Sequence, residues 1–245
     1  MRPPRPLPGA APKATKWPSG PQGLASGGPA KPVPRTPLDG GGASHGGVLP
    51  TAPTHILYLH GFRSSPLSTK AQLFARWLAA NRPEVVLWCP QLPPSPRAAM
   101  DLVLGGVAAW PHESMAVIGS SLGGFYAGVV AERTGCRAVV LNPAVDPARD
   151  LAKHIGEQTT WQNPEEHFFF RPEYVDELRA MAPAALTRPE RYAAVIAKGD
   201  ELLDWREMCA RHAGATTLLL DGSDHALSDF EQHLPFALRF LKLIP

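Results

Sequence analysis

Short apolar runs alternate along the chain with longer segments whose apolar residues recur at helical spacing. The first run, at residues 55–59, is followed by a segment in which Phe74 and Leu78 lie on one helical face. The same order then repeats to the end of the sequence. The runs predict strands at residues 55–59, 85–88, 115–118, 138–141, 193–197 and 216–220. The periodic segments predict helices at residues 68–81, 97–110, 123–133 and 229–243, the last interrupted by Pro235.

Most of these strands are apolar throughout, which is typical of strands that are buried on both faces. Strands that alternate with helices form a parallel sheet with helices on each side. The sequence therefore predicts an α/β fold with about six parallel strands and helices on both faces. In such sheets, functional sites form in the loops that leave the carboxyl ends of the strands.

The composition changes at about residue 53. Residues 1–53 contain 13 of the 28 prolines and 10 of the 22 glycines, with six basic residues and one acidic residue. Their few apolar side chains cannot offset the entropy lost by an ordered backbone, so we expect this Pro/Gly-rich basic leader to be disordered. We expect residues 54–245 to form the folded domain. The whole chain has a net charge of only +2, which is less than that of the leader alone, so residues 54–245 are slightly acidic. We therefore expect no nucleic-acid partner.

The three cysteines, Cys89, Cys136 and Cys209, are widely spaced and odd in number. This spacing favours free thiols in a reducing cytoplasm over a disulfide framework or a metal site. No apolar run approaches the roughly 18 residues that a membrane span requires. We therefore expect a cytoplasmic protein with no metal, no cofactor and no membrane span.

The segment Gly119-Ser120-Ser121-Leu122-Gly123 fits the Gly-x-Ser-x-Gly pattern of a nucleophile elbow. In that motif a sharp strand-to-helix turn exposes the serine hydroxyl above the edge of the sheet. The pattern alone can also be a Gly/Ser turn without chemistry. Here a predicted strand precedes it and a helical segment follows it, which is the context that the motif requires. Ser121 is therefore the candidate nucleophile, and Ser120 does not occupy the motif's serine position.

His60-Gly61-Phe62 directly follows the first predicted strand. In hydrolases of this architecture, the loop after that strand supplies one N–H of the oxyanion hole, and the residue after the nucleophile supplies the other. We expect the backbone N–H groups of Phe62 and Leu122 to be these donors, which act by pointing in advance at developing negative charge. A His-Gly pair at a strand end is otherwise an ordinary turn.

Asp200 follows the fifth predicted strand and His225 follows the sixth. With Ser121 they give the chain order Ser–Asp–His that α/β-hydrolase triads share. In a triad the histidine is the general base and the aspartate orients it. Asp204 also lies beyond the fifth strand, but its position ahead of a helical segment suits a helix N-cap. We therefore predict Ser121, Asp200 and His225 as the catalytic residues.

Several further motifs occur together with these residues. They are His60-Gly61-Phe62, Ser64-Ser65-Pro66, Gly119 to Gly124, Leu141 to Ala144, Gly199 to Asp204 and Asp224-His225. Over about residues 55–243 the sequence resembles the YqiA/YcfP-like esterases, a small family of the α/β-hydrolase superfamily. The resemblance implies a reduced α/β-hydrolase fold whose sheet begins at the strand ending in His60, the same triad, and hydrolysis of carboxylic esters or acyl thioesters. The leader has no counterpart in that family's pattern.

The segment 146–181 lies where many α/β-hydrolases insert a lid, and it is rich in aromatic residues. Phe168, Phe169 and Phe170 form its densest cluster. In one interpretation these side chains form an apolar wall for the acyl chain of a substrate. In the other, which the sequence leaves equally open, they pack the insert onto the sheet.

These features predict a serine esterase that cleaves a small-molecule carboxylic ester or acyl thioester through an acyl-enzyme intermediate. Two alternatives stay open. The same residues would serve an acyltransferase, because both reactions pass through the acyl-enzyme. The chain could also be an inactive hydrolase fold that serves as a binding module, although all three candidate residues and both elbow glycines are present, which argues against this.

Overall fold

A computed structural model describes residues 52–245 of the chain. The strands are β1 (His55–Leu59), β2 (Val86–Trp88), β3 (Met115–Ser120), β4 (Arg137–Leu141), β5 (Gly156–Thr159), β6 (His167–Phe170), β7 (Tyr192–Ala197) and β8 (Thr216–Leu220). The α-helices are α1 (Thr69–Asn81), α2 (Pro96–Val107), α3 (Leu122–Thr134), α4 (Pro147–Leu151), α5 (Pro172–Met181), α6 (Trp205–Arg211) and α7 (Phe230–Phe240). Disorder is predicted for residues 1–53. All but the last two of these residues lie outside the described range.

Six strands form one parallel sheet in the order β2-β1-β3-β4-β7-β8. All six residues of β3 and all six of β7 are buried, which explains why these strands are apolar along their whole length. Alternate side chains of a strand lie on opposite faces, so that Leu57 and Leu59 pack towards α2 and α3 while Ile56 and Tyr58 pack towards α1 and α7. The predicted α/β architecture is confirmed.

The predicted helices differ from the corresponding observed helices at their ends. The helix predicted to reach residue 110 ends at Val107, and the C-terminal helix ends at Phe240, before Lys242 adopts a left-handed conformation with a φ of 60°. Pro235 lies inside α7. No helix within residues 52–245 is both long enough and apolar enough to cross a membrane.

The insert between β4 and β7 has more regular structure than its sequence indicates. It contains α4, α5 and a separate antiparallel hairpin of β5 and β6. Strand β5 reads Gly-Glu-Gln-Thr and has no apolar side chain, so it lacks the pattern by which a buried strand is predicted.

Candidate active site

Three loops at the carboxyl edge of the sheet bring Ser121, Asp200 and His225 together. Ser121 follows β3 directly, Asp200 follows β7 and His225 follows β8. The Oγ of Ser121 lies 3.0 Å from the Nε2 of His225, and the Nδ1 of His225 lies 2.8 Å from the Oδ2 of Asp200. The structure thus places the three residues predicted from the sequence in one continuous chain of hydrogen bonds.

Ser121 lies on a sharp turn between β3 and α3. Its φ of 56° and ψ of −121° are strained for a residue with a side chain. The surrounding strands hold this conformation, because the Ser121 N–H donates to the carbonyl of Leu141 (3.0 Å) and the Ser121 carbonyl accepts from the Ala144 N–H (3.1 Å). A Cβ on Gly119 would lie 2.0 Å from the carbonyl oxygen of Gly123, so the first glycine of the elbow motif is required by this close approach.

The carboxylate of Asp200 is fully buried and held in one orientation. Its Oδ1 accepts the N–H groups of Leu202 (2.9 Å) and Leu203 (2.8 Å), which leaves Oδ2 to face His225. A carboxylate in this position accepts from Nδ1–H, and the Nε2 of the same neutral ring is then free to accept the hydroxyl proton of Ser121.

Asp204, the other acid after β7, has a different role. Its Oδ1 accepts the N–H of Arg206 at 2.9 Å, and the residue is the N-cap of α6. Of the two acids, the structure places Asp200 in contact with His225.

The loop that carries His225 is fastened by residues to which the sequence analysis gave no role. Glu201 accepts the His225 N–H at 2.9 Å through Oε2, and the ammonium group of Lys70 donates to the carbonyl of Ala226. Asn142 donates to the carbonyl of His225 at 3.2 Å. Both Glu201 and Asn142 stand in motifs quoted above for the family resemblance, but a motif does not reveal which backbone groups its side chains contact.

The loop after β1 runs directly beside Ser121. A Cβ on Gly61 would lie 3.2 Å from the Ser121 Cβ and 3.7 Å from its Oγ, so Phe62, the next residue, follows within the same loop. Leu122 is the first residue of α3, where backbone N–H groups have no partner within the helix. The two predicted oxyanion donors thus lie in backbone segments that adjoin the Ser121 hydroxyl.

The side chain of His60 holds the loop after β1 in place through two hydrogen bonds. Its Nδ1 donates to the carbonyl of Gly61 (3.0 Å), and its Nε2 accepts the N–H of Leu92 (3.1 Å). These two bonds require a neutral ring, and burial lowers the pKa of His60 from 6.5 to about 4.

Because of His60, we expect the stability of the protein to fall as the pH is lowered from 6.5 towards 4. In this window the His60 ring is protonated in the unfolded chain and neutral in the folded one. The free energy of unfolding therefore falls by about 1.4 kcal/mol for each pH unit. Urea denaturation of the protein and of His60→Gln across this range would measure the effect. The variant should show a shallower loss of free energy of unfolding, and equal slopes would contradict the assignment.

The aromatic insert contacts the loop after β1 through Phe62. Phe168 and Phe170 pack edge-on against that ring, with centroid distances of 5.9 Å and 5.2 Å. Phe170 is only 1% exposed and is part of the core, whereas Phe169 points away from it and is 57% exposed. Phe168 and Phe170 therefore lie on one side of β6 and Phe169 on the other, because side chains alternate along a strand.

Arg63 also ties the insert to this loop. Its guanidinium donates to the carbonyl and the hydroxyl of Thr159 at 2.7 Å and 2.9 Å and lies 4.1 Å from the centroid of the Trp161 ring. Within residues 52–245, no group of three or more His, Cys, Asp or Glu side chains is arranged to hold a metal ion.

Solved structures with a similar fold are α/β hydrolases. Est1E from Butyrivibrio proteoclasticus, solved with ferulic acid, has 13% identity and a TM-score of 0.59, and the match covers 80% of this chain and 90% of that one. For the mouse alpha/beta hydrolase domain-containing protein 10 the identity is 14% and the TM-score 0.56, with 76% of this chain and 87% of that one covered. A structure from the work on the metagenome-derived lipolytic enzymes LipS and LipT has 16% identity and a TM-score of 0.55, with 79% and 96% covered.

At these identities the likeness establishes a shared fold, the α/β-hydrolase fold. The family comparison is more specific, since residues 55–242 match the uncharacterised protein family UPF0227, which is the YqiA/YcfP family. This match spans nearly all of the described chain and confirms the resemblance seen in the sequence motifs. The chain belongs to the uncharacterised protein family UPF0227, whose fold here is that of the α/β hydrolases.

Proposed function

We propose that this protein is a serine esterase that hydrolyses carboxylic esters or acyl thioesters through an acyl-enzyme intermediate. The observation that carries the proposal is the hydrogen-bonded chain from Ser121 through His225 to the buried carboxylate of Asp200. An inactive binding module would have no need of a strained nucleophile turn aligned with a general base.

In the first half of the reaction, the Nε2 of His225 takes the hydroxyl proton of Ser121 as Oγ attacks the carbonyl carbon of the substrate. The N–H groups of Phe62 and Leu122 stabilise the negative charge that develops on the carbonyl oxygen. When the tetrahedral intermediate collapses, the C–O or C–S bond breaks and His225 protonates the departing alcohol or thiol.

In the second half, water attacks the acyl group on Ser121, and His225 takes the proton of that water. Collapse of the second intermediate breaks the bond to Oγ, releases the carboxylic acid and returns the proton to Ser121. Asp200 keeps the imidazole in the tautomer with hydrogen on Nδ1 and stabilises the imidazolium form in both halves. No cofactor is required for either step.

The three cysteines support a reducing compartment, which we propose to be the cytoplasm. Cys89 and Cys136 are buried free thiols, and Cys209 is a partly buried one. Burial raises the pKa of Cys136 to about 11 and that of Cys89 to about 12, so both remain protonated and unreactive at neutral pH.

A fluorophosphonate probe and a series of p-nitrophenyl esters test the proposal directly. We expect stoichiometric labelling at Ser121 and release of p-nitrophenol, with no change in rate when EDTA is added. Adding an alcohol or amine acceptor separates hydrolysis from acyl transfer, because a transferase would convert most of the substrate into the acceptor's ester or amide. A folded protein that neither reacts with the probe nor hydrolyses any ester or thioester would refute the proposed function.

Phe168 is the phenylalanine of the insert best placed to contact an acyl chain. It is partly buried and packs on Phe62, the residue beside the oxyanion site. We expect Phe168→Ala to reduce kcat/KM for long-chain esters more than for acetate. Each methylene contact that is lost weakens transition-state binding by up to about 1 kcal/mol, so the effect grows with chain length. The measurement is the ratio of octanoate to acetate hydrolysis.

Phe169→Ala is the matched control, because this neighbouring ring is exposed on the other side of β6. It should leave the octanoate-to-acetate ratio unchanged. Equal losses on both esters in Phe168→Ala would show that Phe168 is a packing residue only.

A further inference from the structure

We propose that Asn142 is a positioning residue that holds His225 in register with Ser121 and Asp200. The proposal rests on the function proposed above and adds to it a residue that contacts neither the substrate nor the reacting atoms. Asn142 follows β4 directly, is fully buried and has a left-handed φ of 41°, a conformation that asparagine tolerates better than most residues.

Every polar group of the Asn142 side chain has a partner. The amide Nδ2 donates to two successive carbonyls of the histidine loop, that of Asp224 at 3.0 Å and that of His225 at 3.2 Å. The amide oxygen accepts the N–H of Ala197, the last residue of β7, at 2.8 Å. One planar group therefore connects the histidine loop to the end of the strand that leads into Asp200.

The same residue also adjoins the nucleophile turn. The carbonyl of Leu141, which precedes Asn142, accepts the N–H of Ser121 at 3.0 Å. The backbone N–H of Asn142 donates to the carbonyl of Val195 in β7 at 2.9 Å. Residues 141 and 142 thus contact all three chain segments that carry the candidate triad.

The chemistry of the contacts requires an amide. Two carbonyl oxygens need two N–H donors, and Ala197 needs an acceptor, a combination that asparagine supplies at this length. Aspartate has the same shape but would place a carboxylate oxygen against the two carbonyls of the histidine loop. The negative carboxylate oxygen and the partial negative charges of the carbonyl oxygens repel each other strongly in a buried site, and we expect the loop with His225 to move away.

The test is Asn142→Asp, assayed at a temperature at which circular dichroism shows the variant to be folded. A small displacement of His225 should lower kcat by on the order of 10²-fold and leave KM nearly unchanged, because misalignment affects the reacting geometry more than binding. Burial favours protonation of the introduced carboxyl group, and a protonated carboxyl can again donate one hydrogen bond. The activity of the variant relative to the wild type should therefore rise as the pH is lowered.

Two further variants make the test specific. Asn142→Ala removes both donors without adding a negative charge, so its loss of kcat relative to the wild type should not depend on pH. Tyr192→Phe removes another buried hydrogen bond, to Glu132 at 2.6 Å, at the opposite end of β7. It should reduce stability while leaving kcat unchanged, so it separates a loss of stability from a loss of alignment.

Wild-type kcat in folded Asn142→Asp, or a loss that does not depend on pH, would overturn the positioning role while the esterase proposal stands. If neither Asn142 variant folds, the residue is needed for folding and the positioning role is rejected. If the wild type reacts with fluorophosphonate but hydrolyses neither an ester nor a thioester, the proposed function fails while the positioning role can still be tested. The rate of fluorophosphonate labelling in the variants then measures the alignment of His225 without a substrate.

Discussion

Replacing Ser121 with alanine should lower kcat for ester hydrolysis by on the order of 10⁶-fold, the loss seen when a serine hydrolase loses its nucleophile. Oγ is the atom that forms the acyl-enzyme, and a neighbouring water cannot substitute for a hydroxyl held 3.0 Å from the general base. Stopped assays with a p-nitrophenyl ester and labelling with fluorophosphonate would measure the loss. The variant should remain folded, since only one oxygen atom is removed.

Ser120→Ala is the matched control for this prediction. Ser120 is the last residue of β3 and is almost completely buried, whereas Ser121 occupies the serine position of the elbow motif. This variant should still be labelled at Ser121 and should retain its activity. Labelling and turnover that persist in Ser121→Ala would show that another residue is the nucleophile.

Much of this site could be predicted because it depends on residues that are close together in the sequence. Strands β3 and β7 are buried on both faces and are therefore apolar without interruption, which fixes their positions to within a residue or two. The elbow is readable because its glycines are sterically required. A Cβ on Gly123 would lie 2.0 Å from the carbonyl oxygen of Leu59. The Gly-x-Ser-x-Gly pattern therefore indicates a close contact between α3 and β1.

Other parts of the site depend on contacts between distant segments and leave no local pattern. Asn142 follows a strand, where an Asn-Pro pair is also common in turns, and only the folded chain reveals its bonds to the histidine loop. The hairpin of β5 and β6 is held in place by Phe168 and Phe170 of β6, which pack on Phe62, and by the contact of Arg63 with Thr159, whereas β5 has no apolar side chain that would predict it. The opposite orientations of Phe168 and Phe169 follow from a strand that the sequence did not predict.

The choice between two acids after β7 illustrates both cases. From the sequence, Asp200 and Asp204 differ only in their distance from the strand and in the helical segment that follows Asp204. The folded chain adds the two N–H groups that fix the Oδ1 of Asp200 and the capping bond of Asp204. From these bonds we derive how replacing each aspartate with asparagine should change kcat.

Asp204→Asn serves as the matched control, because asparagine caps a helix about as well as aspartate does. The substitution should leave kcat nearly unchanged. Asp204→Ala, which removes the cap, should cost about 1 kcal/mol of stability and little turnover. The free energy of unfolding from urea denaturation and kcat for a p-nitrophenyl ester would separate the two effects.

Asp200→Asn should lower kcat by on the order of 10³–10⁴-fold without unfolding the protein. The N–H groups of Leu202 and Leu203 would hold the amide oxygen where Oδ1 now lies, and the NH₂ group would then face His225. Nδ1 would have to accept from that NH₂ group, so the ring proton would move to Nε2, which could no longer take the proton of Ser121. Urea denaturation and kcat for a p-nitrophenyl ester, measured for this variant and for Asp204→Asn, would test the derivation, because a misplaced ring proton should lower kcat while leaving the free energy of unfolding nearly unchanged. If Asp204→Asn were the inactive enzyme and Asp200→Asn the active one, the orienting acid would be Asp204, although Ser121 and His225 would keep their proposed roles.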